Sequence, residues 1–473
     1  MSTLFLPMRT MAIVVSAVVL TGCASFSKDG GMDSVAAMTK ERTGQVPQRI
    51  KTESERAESE QAVRDLLAKP LTAESAVRIA LLNNKGLQAS LAELGVAESD
   101  LVQAGRMRNP GFSFGRLNND GANELEVERS IMFDLVGLLT MPMRSKIEGQ
   151  RFEQVKLQVA NDAVKLAADT RRAYFYAVAA QQTARFMEQA KDAAEAGAEL
   201  GQRMQKVGNW NKLDAAREQM FYADTTAQLA RSRQEVNSTR EQLTRMLGLW
   251  QAGATFVLPE QLPALPKAPQ EVGNLEAQAM EQRLDVQIAK RNTEATATAL
   301  GLTKATRFIN VLDVGYMNKS ETGKSRSNGY EISLELPLFD WGTARSTKAE
   351  AFYMQAVNRT ADTAIRARSE VREAYTSYRT AYDLSRHYRD EIVPLRKKIS
   401  DEMLLRYNGM LASVFELLVD ARLQIGAVNA AIEAQRNYWL ADTDLQMAIN
   451  GSGGNRSAQA SSAAAAPSAQ AEH

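Results

Sequence analysis

Several segments of the chain alternate apolar and polar residues, which is the pattern of a β-strand with two different faces. In the segment 330–339, the aliphatic side chains fall on one face: Ile332, Leu334, Leu336 and Leu338. The polar side chains fall on the other face: Glu331, Ser333 and Glu335. This segment therefore predicts a strand with one apolar and one acidic face.

A second strand is predicted just upstream, in the segment 309–316. Its apolar face carries Leu312, Val314 and Tyr316, and its other face carries Val311, Asp313 and Gly315. Because Ser327-Asn-Gly329 is a typical turn sequence, we expect the two strands to form a β-hairpin over about 309–340.

The first half of the chain predicts a less regular hairpin over about 110–134, with a turn at 118–121. In its second strand, 124–133, the basic residue Arg129 shares the apolar face with Leu125, Val127, Ile131 and Phe133. The opposite face carries Glu124, Glu126, Glu128 and Ser130. Because an arginine is costly at the middle of a bilayer, either Arg129 lies near a membrane interface or this register is wrong.

An apolar face opposite an acidic face, over about ten residues, is what a transmembrane barrel strand requires, with lipid outside and water inside. A soluble sheet buried on one side shows the same alternation. Four strands cannot close a barrel, and an open edge in lipid leaves backbone groups unsatisfied. If the strands span a membrane, the chain must therefore oligomerise, and a conducting pore needs three or more chains because eight strands leave no channel.

Long helical stretches follow each predicted hairpin. They form two helical hairpins, about 144–248 with a turn near Gly208 and about 343–450 with a turn near Gly409. A helix over 144–207 is about 95 Å long, several times the length of an ordinary domain helix. Such helices need partners along their whole length, and by themselves they also fit a soluble antiparallel coiled coil. Pro394 is expected to kink or loosen the second long helix.

Both halves repeat the same order of elements: a helix, a β-hairpin and a long helical hairpin. Repeat 1 covers 71–250, a Pro-rich linker covers 251–272, and repeat 2 covers 273–450. Residues 451–473 are rich in Gly, Ser, Ala and Gln and are expected to be disordered. The predicted fold class is mainly α with a membrane β-barrel part.

The N-terminal residues 1–22 predict a signal peptide, because the apolar run 11–20 is too short to span a bilayer. It ends in Leu20-Thr-Gly-Cys23, which resembles the lipid-attachment sequence of bacterial lipoproteins, and Cys23 is the only cysteine of the chain. Cys23 is thus the predicted lipidation site, followed by a polar tether over 23–70. The alternative is a plain signal peptide in which Cys23 is incidental.

Composition narrows the class of function. The 57 basic and 56 acidic residues nearly balance, which gives no footprint for a nucleic-acid partner. One cysteine allows no internal disulfide, and with only His387 and His473 no His/Cys zinc cluster can form. A histidine-dependent nucleophile is improbable on this inventory, and no Walker-type glycine loop is visible. We expect no enzyme activity and no cofactor beyond a covalent lipid on Cys23.

Three segments carry a resemblance to a known family. Residues 71–84 resemble its opening helix, and Leu336-Pro-Leu-Phe-Asp-Trp-Gly342 resembles its strand exit into the second long helix, with Phe133-Asp134 as a looser counterpart. Residues 406–422 resemble the periplasmic turn of its second helical hairpin. In this order and spacing, the segments resemble the TolC family of outer-membrane efflux proteins over roughly 71–450.

This resemblance implies a homotrimer in which four strands per chain give a twelve-stranded barrel in the outer membrane. A long α-helical barrel would continue it through the periplasm. The implied function is a passive duct that carries substrates from an inner-membrane pump and its periplasmic adaptor protein across the outer membrane. The alternative function is a lipid-anchored periplasmic coiled-coil scaffold or adaptor without a pore.

The resemblance also assigns roles to residues near the helical turns. Gly208 and Asn209 in one turn, and Asn408 and Gly409 in the other, would face the adaptor. Acidic residues after the second turn would ring the closed entrance. Glu416 matches the first of these positions, Leu418 occupies the second, and Asp420 lies nearby. Glu416 and Asp420 share a helix face, which also fits an ordinary solvated surface.

Two further features lie at the exit of the first hairpin. Met132, Met141 and Met143 are clustered in sequence and could bind a soft metal ion, although methionine more often serves packing. Gly137 and Pro142 predict an irregular link before the first long helix. The exported substrate, a drug, a metal ion or another compound, is left open.

Overall fold

The computed structural model describes residues 25–119, 124–250, 255–271, 273–308, 311–335 and 337–452. The predicted signal peptide, Cys23, the turn residues 120–123, Leu336 and the tail beyond residue 452 lie outside the described residues, so the expectations that concern them stay predictions.

Most described residues are helical. The helices are α1 (Met32–Thr43), α2 (Glu53–Leu67), α3 (Ala73–Asn83), α4 (Lys85–Ala104), α5 (Leu135–Lys206), α6 (Lys212–Met246), α7 (Leu275–Gln282), α8 (Leu284–Ala305), α9 (Thr343–His387), α10 (Val393–Asn408) and α11 (Val414–Asn450). A π-helical turn, Tyr388–Ile392, joins α9 to α10 just before Pro394. Among the described helices, none combines the length and the apolar character needed to cross a membrane.

The strands are β1 (Gly111–Asn119), β2 (Glu124–Asp134), β3 (Leu312–Glu321) and β4 (Ser327–Leu334). They form one antiparallel sheet in the order β1-β2-β3-β4. The chain divides into two compact units. The first holds the sheet with Leu91–Val159 and Val286–Thr363, and the second holds Ala36–Ser90, Ala160–Asp285 and the chain from Ala364 onward.

The second hairpin differs in its bounds from the expectation. β3 continues to Glu321, and the turn lies at 322–326, where Gly323 has a positive φ of 77°. Ser327-Asn-Gly329 belongs to β4 instead of forming the turn. β4 ends at Leu334, five residues before the predicted end at Phe339, and Pro337 cannot donate a backbone hydrogen bond to extend it.

The expected irregular link before the first long helix is wrong. α5 begins at Leu135, directly after β2, and includes both Gly137 and Pro142. The Asp134 carboxylate accepts a 2.6 Å hydrogen bond from the Gly137 backbone N–H and so supplies the missing N-terminal cap. Pro142 is the eighth residue of α5, and because proline has no backbone N–H, the helix lacks the hydrogen bond that residue 142 would donate to the Leu138 carbonyl.

The segment expected to be a simple tether, 23–70, contributes to the packed structure. Ser27 donates hydrogen bonds of 2.6 and 2.5 Å from its backbone N and Oγ to the Glu98 carboxylate. Val35 of α1 is buried, and Val63 of α2 belongs to a core cluster with α3, α5 and α6. This part of the chain therefore adds apolar surface to the core instead of remaining outside it.

The Pro-rich linker is also held firmly. Phe256, Leu258 and Leu262 are buried in the second unit. The Trp439 indole N–H donates to the Pro263 carbonyl at 3.0 Å, and the Tyr382 hydroxyl donates to the Pro266 carbonyl at 3.2 Å. These contacts fix the linker to α9 and α11.

The two halves share a structural detail that sequence identity does not reveal. One extended residue separates α3 from α4 and another separates α7 from α8: Asn84 and Arg283. In the first half, Asn84 Nδ2 donates to the Met246 carbonyl at the end of α6. In the second half, Arg283 Nη1 donates to the Ala448 carbonyl near the end of α11. Each break thus caps the carboxyl end of the returning helix of its own repeat.

Candidate channel sheet and helical turns

The register of the sheet collects the apolar side chains of all four strands on one face, because directly paired residues of antiparallel strands point to the same side. One row contains Phe112, Ile131, Tyr316 and Tyr330, and the next contains Phe133, Val314 and Ile332. These side chains are largely open, with Phe112 67% and Tyr330 83% exposed. We call this side the apolar face.

The opposite side, the acidic face, carries six carboxylates among the described side chains: Glu126, Glu128, Asp134, Asp313, Glu321 and Glu331. Lys319 is the one basic residue of the described strands on this face, and it forms ion pairs with Glu126 and, at 3.5 Å, with Glu128. Ser113 and Ser130 share a 2.8 Å hydrogen bond across β1 and β2. A surface of this kind suits water and cations.

Arg129 lies at the middle of β2, on the apolar face of the sheet. The register places it in one row with Phe114, Asn318 and Asn328. Its Nη1 donates to Asn318 Oδ1 at 3.3 Å, and Asn318 Nδ2 donates to Asn328 Oδ1 at 2.7 Å. The register that the sequence proposed is therefore the one observed, and Arg129 lies between Ile131 and Val127 on the apolar face, where the amide of Asn318 is its hydrogen-bond partner.

Both edges of the sheet end without a further strand in the described part of the chain. β1 pairs only with β2, and β4 pairs only with β3. An edge strand beside an exposed apolar face is a ready template for pairing with another chain.

The two helical turns use different backbone solutions. Gly208 takes the left-handed region with φ 80°, whereas in the second turn it is Met410, with φ 57°, and not Gly409 that does so. Asn209 N–H donates to the Met204 carbonyl at 2.9 Å, and the N–H of Gly409, next to Asn408, donates to the Leu405 carbonyl at 2.9 Å. Met410 is 94% exposed, and its neighbour Leu411 is 82% exposed.

The structure separates the two acidic residues assigned to the entrance. Glu416 forms a capping box with Ser413: its carboxylate accepts the Ser413 backbone N–H at 2.8 Å, and this bond lowers the Glu416 pKa. Asp420 is only 5% exposed, and its Oδ2 has no hydrogen-bond partner among the described residues. They do not form one exposed charged surface in this arrangement.

A pair that the sequence did not predict lies close to Asp420. Arg422 Nη2 of α11 and Glu218 Oε1 of α6 are 2.5 Å apart, and Glu218 is 1% exposed. The Arg422 guanidinium also lies 4.4 Å from the centre of the Phe221 ring. The pair joins the returning helices of both hairpins across 204 residues of sequence, a separation at which periodicity gives no signal.

The methionines at the strand exit are directed to different neighbours. Met132 lies over Gly315 in the sheet, whereas the Met143 terminal methyl lies toward Gly301 of α8. No group of three or more His, Cys, Asp or Glu side chains able to hold a metal ion occurs in the described residues. The structure gives no contact that gathers Met132, Met141 and Met143 around one ion.

The four-stranded sheet and the long helical hairpins give this chain a fold that is similar to solved outer-membrane proteins. A crystal structure of a membrane protein from Pseudomonas aeruginosa superposes with a TM-score of 0.69 and 19% identity, covering 82% of this chain and 93% of that one. The open-state structure of the Neisseria gonorrhoeae MtrE outer membrane channel gives a TM-score of 0.66 and 16% identity, covering 80% and 89%. These likenesses establish the fold.

Sequence comparisons point in the same direction as the fold. Residues 275–451 match the family model described as outer membrane efflux protein. The cobalt-zinc-cadmium resistance protein CzcC of Cupriavidus metallidurans is 22% identical over 276 residues, which cover 58% of this chain and 64% of that relative. Residues 275–451 thus resemble outer membrane efflux proteins in sequence, and the chain resembles outer-membrane channels in fold.

Proposed function

We propose that three copies of this chain form a passive outer-membrane duct of a tripartite efflux or secretion assembly. The duct takes substrates from an inner-membrane pump and a periplasmic adaptor and releases them outside the cell. The observation that carries this proposal is the four-stranded sheet, whose apolar and acidic faces match the lipid and water sides of a barrel wall and whose two edges need partners.

In the proposed trimer, threefold symmetry would close the three sheets into one barrel. If β4 of each copy pairs with β1 of the next, three four-stranded sheets give a barrel of twelve strands. Eight strands fill their own interior, whereas twelve leave space for a channel. The apolar face then meets lipid, and the acidic face lines the water-filled interior.

The N-terminus adds a membrane anchor to this proposal. Lipidation of Cys23 would hold the chain at the outer membrane, and Ala24 after it favours outer-membrane sorting. The hydrogen bonds from Ser27 to Glu98 support an anchored arrangement, because they fix the chain four residues beyond Cys23. Replacing Cys23 with Ser should abolish labelling by a radioactive or clickable fatty acid, and persistent labelling would refute the assignment.

The helical turns form the proposed entrance. Gly208, Asn209, Asn408 and Gly409, with the exposed Met410, would contact the adaptor. The ion pair between Glu218 and Arg422 holds α6 against α11 and favours the closed arrangement. Contacts with adaptor or pump that separate these helices would expose Asp420 toward the interior and shift the population to the open state.

The class of exported substrate is proposed from the charge of the sheet and from a sequence relative. The acidic face and the name of the Cupriavidus relative support cations, including transition-metal ions, as the first class to test. Restored growth on cobalt, zinc or cadmium salts in a strain that lacks its own channel would support this class, and resistance to organic drugs alone would refute it.

Reconstitution in planar lipid bilayers tests the channel itself. The purified chain should migrate as a trimer and conduct ions in discrete steps. A monomer that inserts no barrel and conducts no ions would overturn the proposal in favour of a lipid-anchored periplasmic scaffold. Conductance of trimers without adaptor or pump, and without any nucleotide, would establish that the duct is passive.

A further inference from the structure

A groove runs between α8 and α9 in the unit that holds the sheet. Its lining residues lie between Asn292 and Thr306 on one side and between Arg345 and Arg359 on the other, and its cavity measures about 570 Å³. Phe352 belongs to the lining and is half exposed. The volume of this cavity falls within the range of small-molecule binding sites.

The charged residues that line the groove are all basic. They are Arg345, Lys348 and Arg359, and no carboxylate of the described chain is part of the lining. Glu350 of α9 lies outside the lining, where it forms an ion pair of 2.9 Å with Lys304 of α8. The groove therefore complements a negatively charged ligand.

Aromatic side chains flank the end of the groove that is nearest the sheet. Phe308, Phe339 and Trp341 lie in the links between helices and strands, and each is more than half exposed. Arg307 directly follows the groove residue Thr306, and its Nε–H donates to the Trp341 carbonyl at 3.0 Å, which joins the two links. Girdles of exposed aromatic residues mark the membrane interfaces of transmembrane barrels. In the proposed barrel, the sheet end of the groove therefore lies at the periplasmic interface of the membrane.

The corresponding helices of repeat 1, α4 and α5, are bridged by the chain itself. Ser27 donates two hydrogen bonds to Glu98 of α4, and a Cβ at Gly31 would lie 2.8 Å from the Phe152 ring of α5. This N-terminal segment begins just after Cys23, so in repeat 1 it leads to the lipid that the proposed anchor carries. In repeat 2, only α8, α9 and the residue after α8 line the groove, and its cavity is left for a ligand that is not part of the chain.

We propose that the sheet end of this groove binds the phosphate of an anionic phospholipid from the periplasmic leaflet, with Arg345 and Lys348 as the phosphate-binding residues. The inference rests on the proposed function, which sets the level of the groove relative to the membrane. Because α9 begins at Thr343, both residues lie within about 8 Å of its membrane end. Their guanidinium and ammonium groups donate charge-assisted hydrogen bonds to phosphate, and the acyl chains pass the rings of Phe308 and Trp341 into the bilayer.

The charge of the lining also predicts which head group is preferred. Phosphatidylglycerol carries one net negative charge, which Arg345 and Lys348 neutralise. Phosphatidylethanolamine carries an additional ammonium group, and the lining offers no carboxylate to pair with it. An ammonium group beside two basic side chains is repelled, so the anionic lipid should bind more tightly.

Arg359 distinguishes a lipid head group from a longer ligand. It lines the same groove but lies about 16 Å beyond Lys348 along α9, away from the sheet. A head group held at the sheet end does not reach Arg359, whereas a peptide or a second copy lying along the whole groove would contact it. Arg359 is therefore the matched control for Arg345 and Lys348.

Native mass spectrometry of the detergent-solubilised trimer tests this site with dioleoyl phosphatidylglycerol as the probe. The wild-type trimer should retain the lipid, and R345Q/K348Q should bind it at least about tenfold more weakly, the loss expected for one or two charge-assisted hydrogen bonds. R359Q should bind the lipid as the wild type does. The single variant K348Q, which leaves Arg345 in place, should show part of the loss even if the double variant does not assemble.

Wild-type affinity in both K348Q and R345Q/K348Q would overturn the proposal. An equal loss in R359Q would also overturn it, in favour of a ligand that fills the whole groove. Dioleoyl phosphatidylethanolamine that binds as tightly as phosphatidylglycerol would show that the groove does not select negative charge. Displacement of the lipid by an equimolar amount of inorganic phosphate would show that the site takes free phosphate instead of a lipid, and either result would refute the assignment.

Conductance in planar lipid bilayers separates this proposal from the proposed function. Wild-type trimers that conduct ions but bind no phosphatidylglycerol refute only the lipid site. A wild-type chain that forms no channel refutes the proposed function itself.

Discussion

At the scale of single residues, the charged groups near the helical turns serve the packing of the chain as well as its proposed opening. Glu218 is almost completely buried, and its partner Arg422 keeps 26% of its side-chain exposure. Glu416 forms the N-terminal capping box of α11 with Ser413, and Asp420 is buried. These three acidic residues therefore differ in their roles: Glu218 forms a buried ion pair, Glu416 caps a helix, and Asp420 is buried without a hydrogen-bond partner for its Oδ2 among the described residues.

Replacing Glu218 with Gln should both destabilise the hairpins and favour the open state. Breaking a buried ion pair by removing one partner costs about 3 kcal/mol or more, and the partial exposure of Arg422 keeps the loss at the low end. Thermal unfolding and single-channel open probability measure the two effects. The control E188Q removes an exposed pair with Arg233, worth about 0–1 kcal/mol, and should change neither. Identical behaviour of both variants would remove the Glu218–Arg422 pair from gating.

The capping carboxylate predicts a pH dependence of the second turn. The Ser413 backbone N–H lowers the Glu416 pKa below its usual value of 4.5, so the cap stabilises the turn above pH 4.5 and the effect is lost as pH falls through the lowered pKa. Hydrogen exchange of the amides at 413–417 should therefore accelerate in acid, beyond its intrinsic change. E416Q should remove this dependence, and an unchanged acid response in E416Q would contradict the assignment.

At the scale of elements, the sequence predicted which segments are helices or strands better than it predicted the residues at which they begin and end. The alternation in 124–133 and 330–335 places the right side chains on the right faces, because a strand's face depends only on odd or even position. The ends of helices and strands depended on caps and turn geometry. The Asp134 cap lets α5 begin earlier than expected, and the turn of the second hairpin contains Gly323 instead of Gly329. Such choices are decided by one hydrogen bond or one φ angle.

The centre of the sheet offers a matched pair of substitutions. A Cβ at Gly315 would lie 2.8 Å from the Ile131 carbonyl oxygen and still closer to the Met132 sulfur, so G315V must push β3 away from β2. A Cβ at Gly329 would meet no atom within 4 Å. We expect G315V to lose the heat-stable trimer on gels and G329V to keep it. Loss of the trimer in both, or in neither, would contradict this account of the sheet.

At the scale of the whole molecule, the proposed trimer accounts for the two edges of the sheet and for its exposed apolar face together. Pairing of β4 with β1 of a neighbouring copy would satisfy the edge hydrogen bonds, and lipid would cover the apolar face. The trimer proposed for this reason makes a geometric prediction about which strands meet.

Cysteines placed on the two edge strands should cross-link different copies. Ser113 of β1 and either Ser327 or Ser333 of β4 lie on the acidic face, and oxidation of S113C/S327C or S113C/S333C should give covalent dimers and trimers on non-reducing gels. Each single variant is the control and should give no covalent trimer. If neither double variant yields covalent trimers, β1 and β4 of neighbouring copies do not pair.

The amino-acid sequence by itself determined the local features of this protein. Period-two alternation predicted the two-faced strands, and the breaks near Gly208 and Gly409 predicted where the long helices turn back. The tertiary structure decided what joins distant residues: the row that places Arg129 beside Asn318, the burial of Asp420, and the pair of Glu218 with Arg422. Local periodicity reports which side of an element a residue occupies, whereas contacts across 189 or 204 residues exist only after the helices and strands have packed.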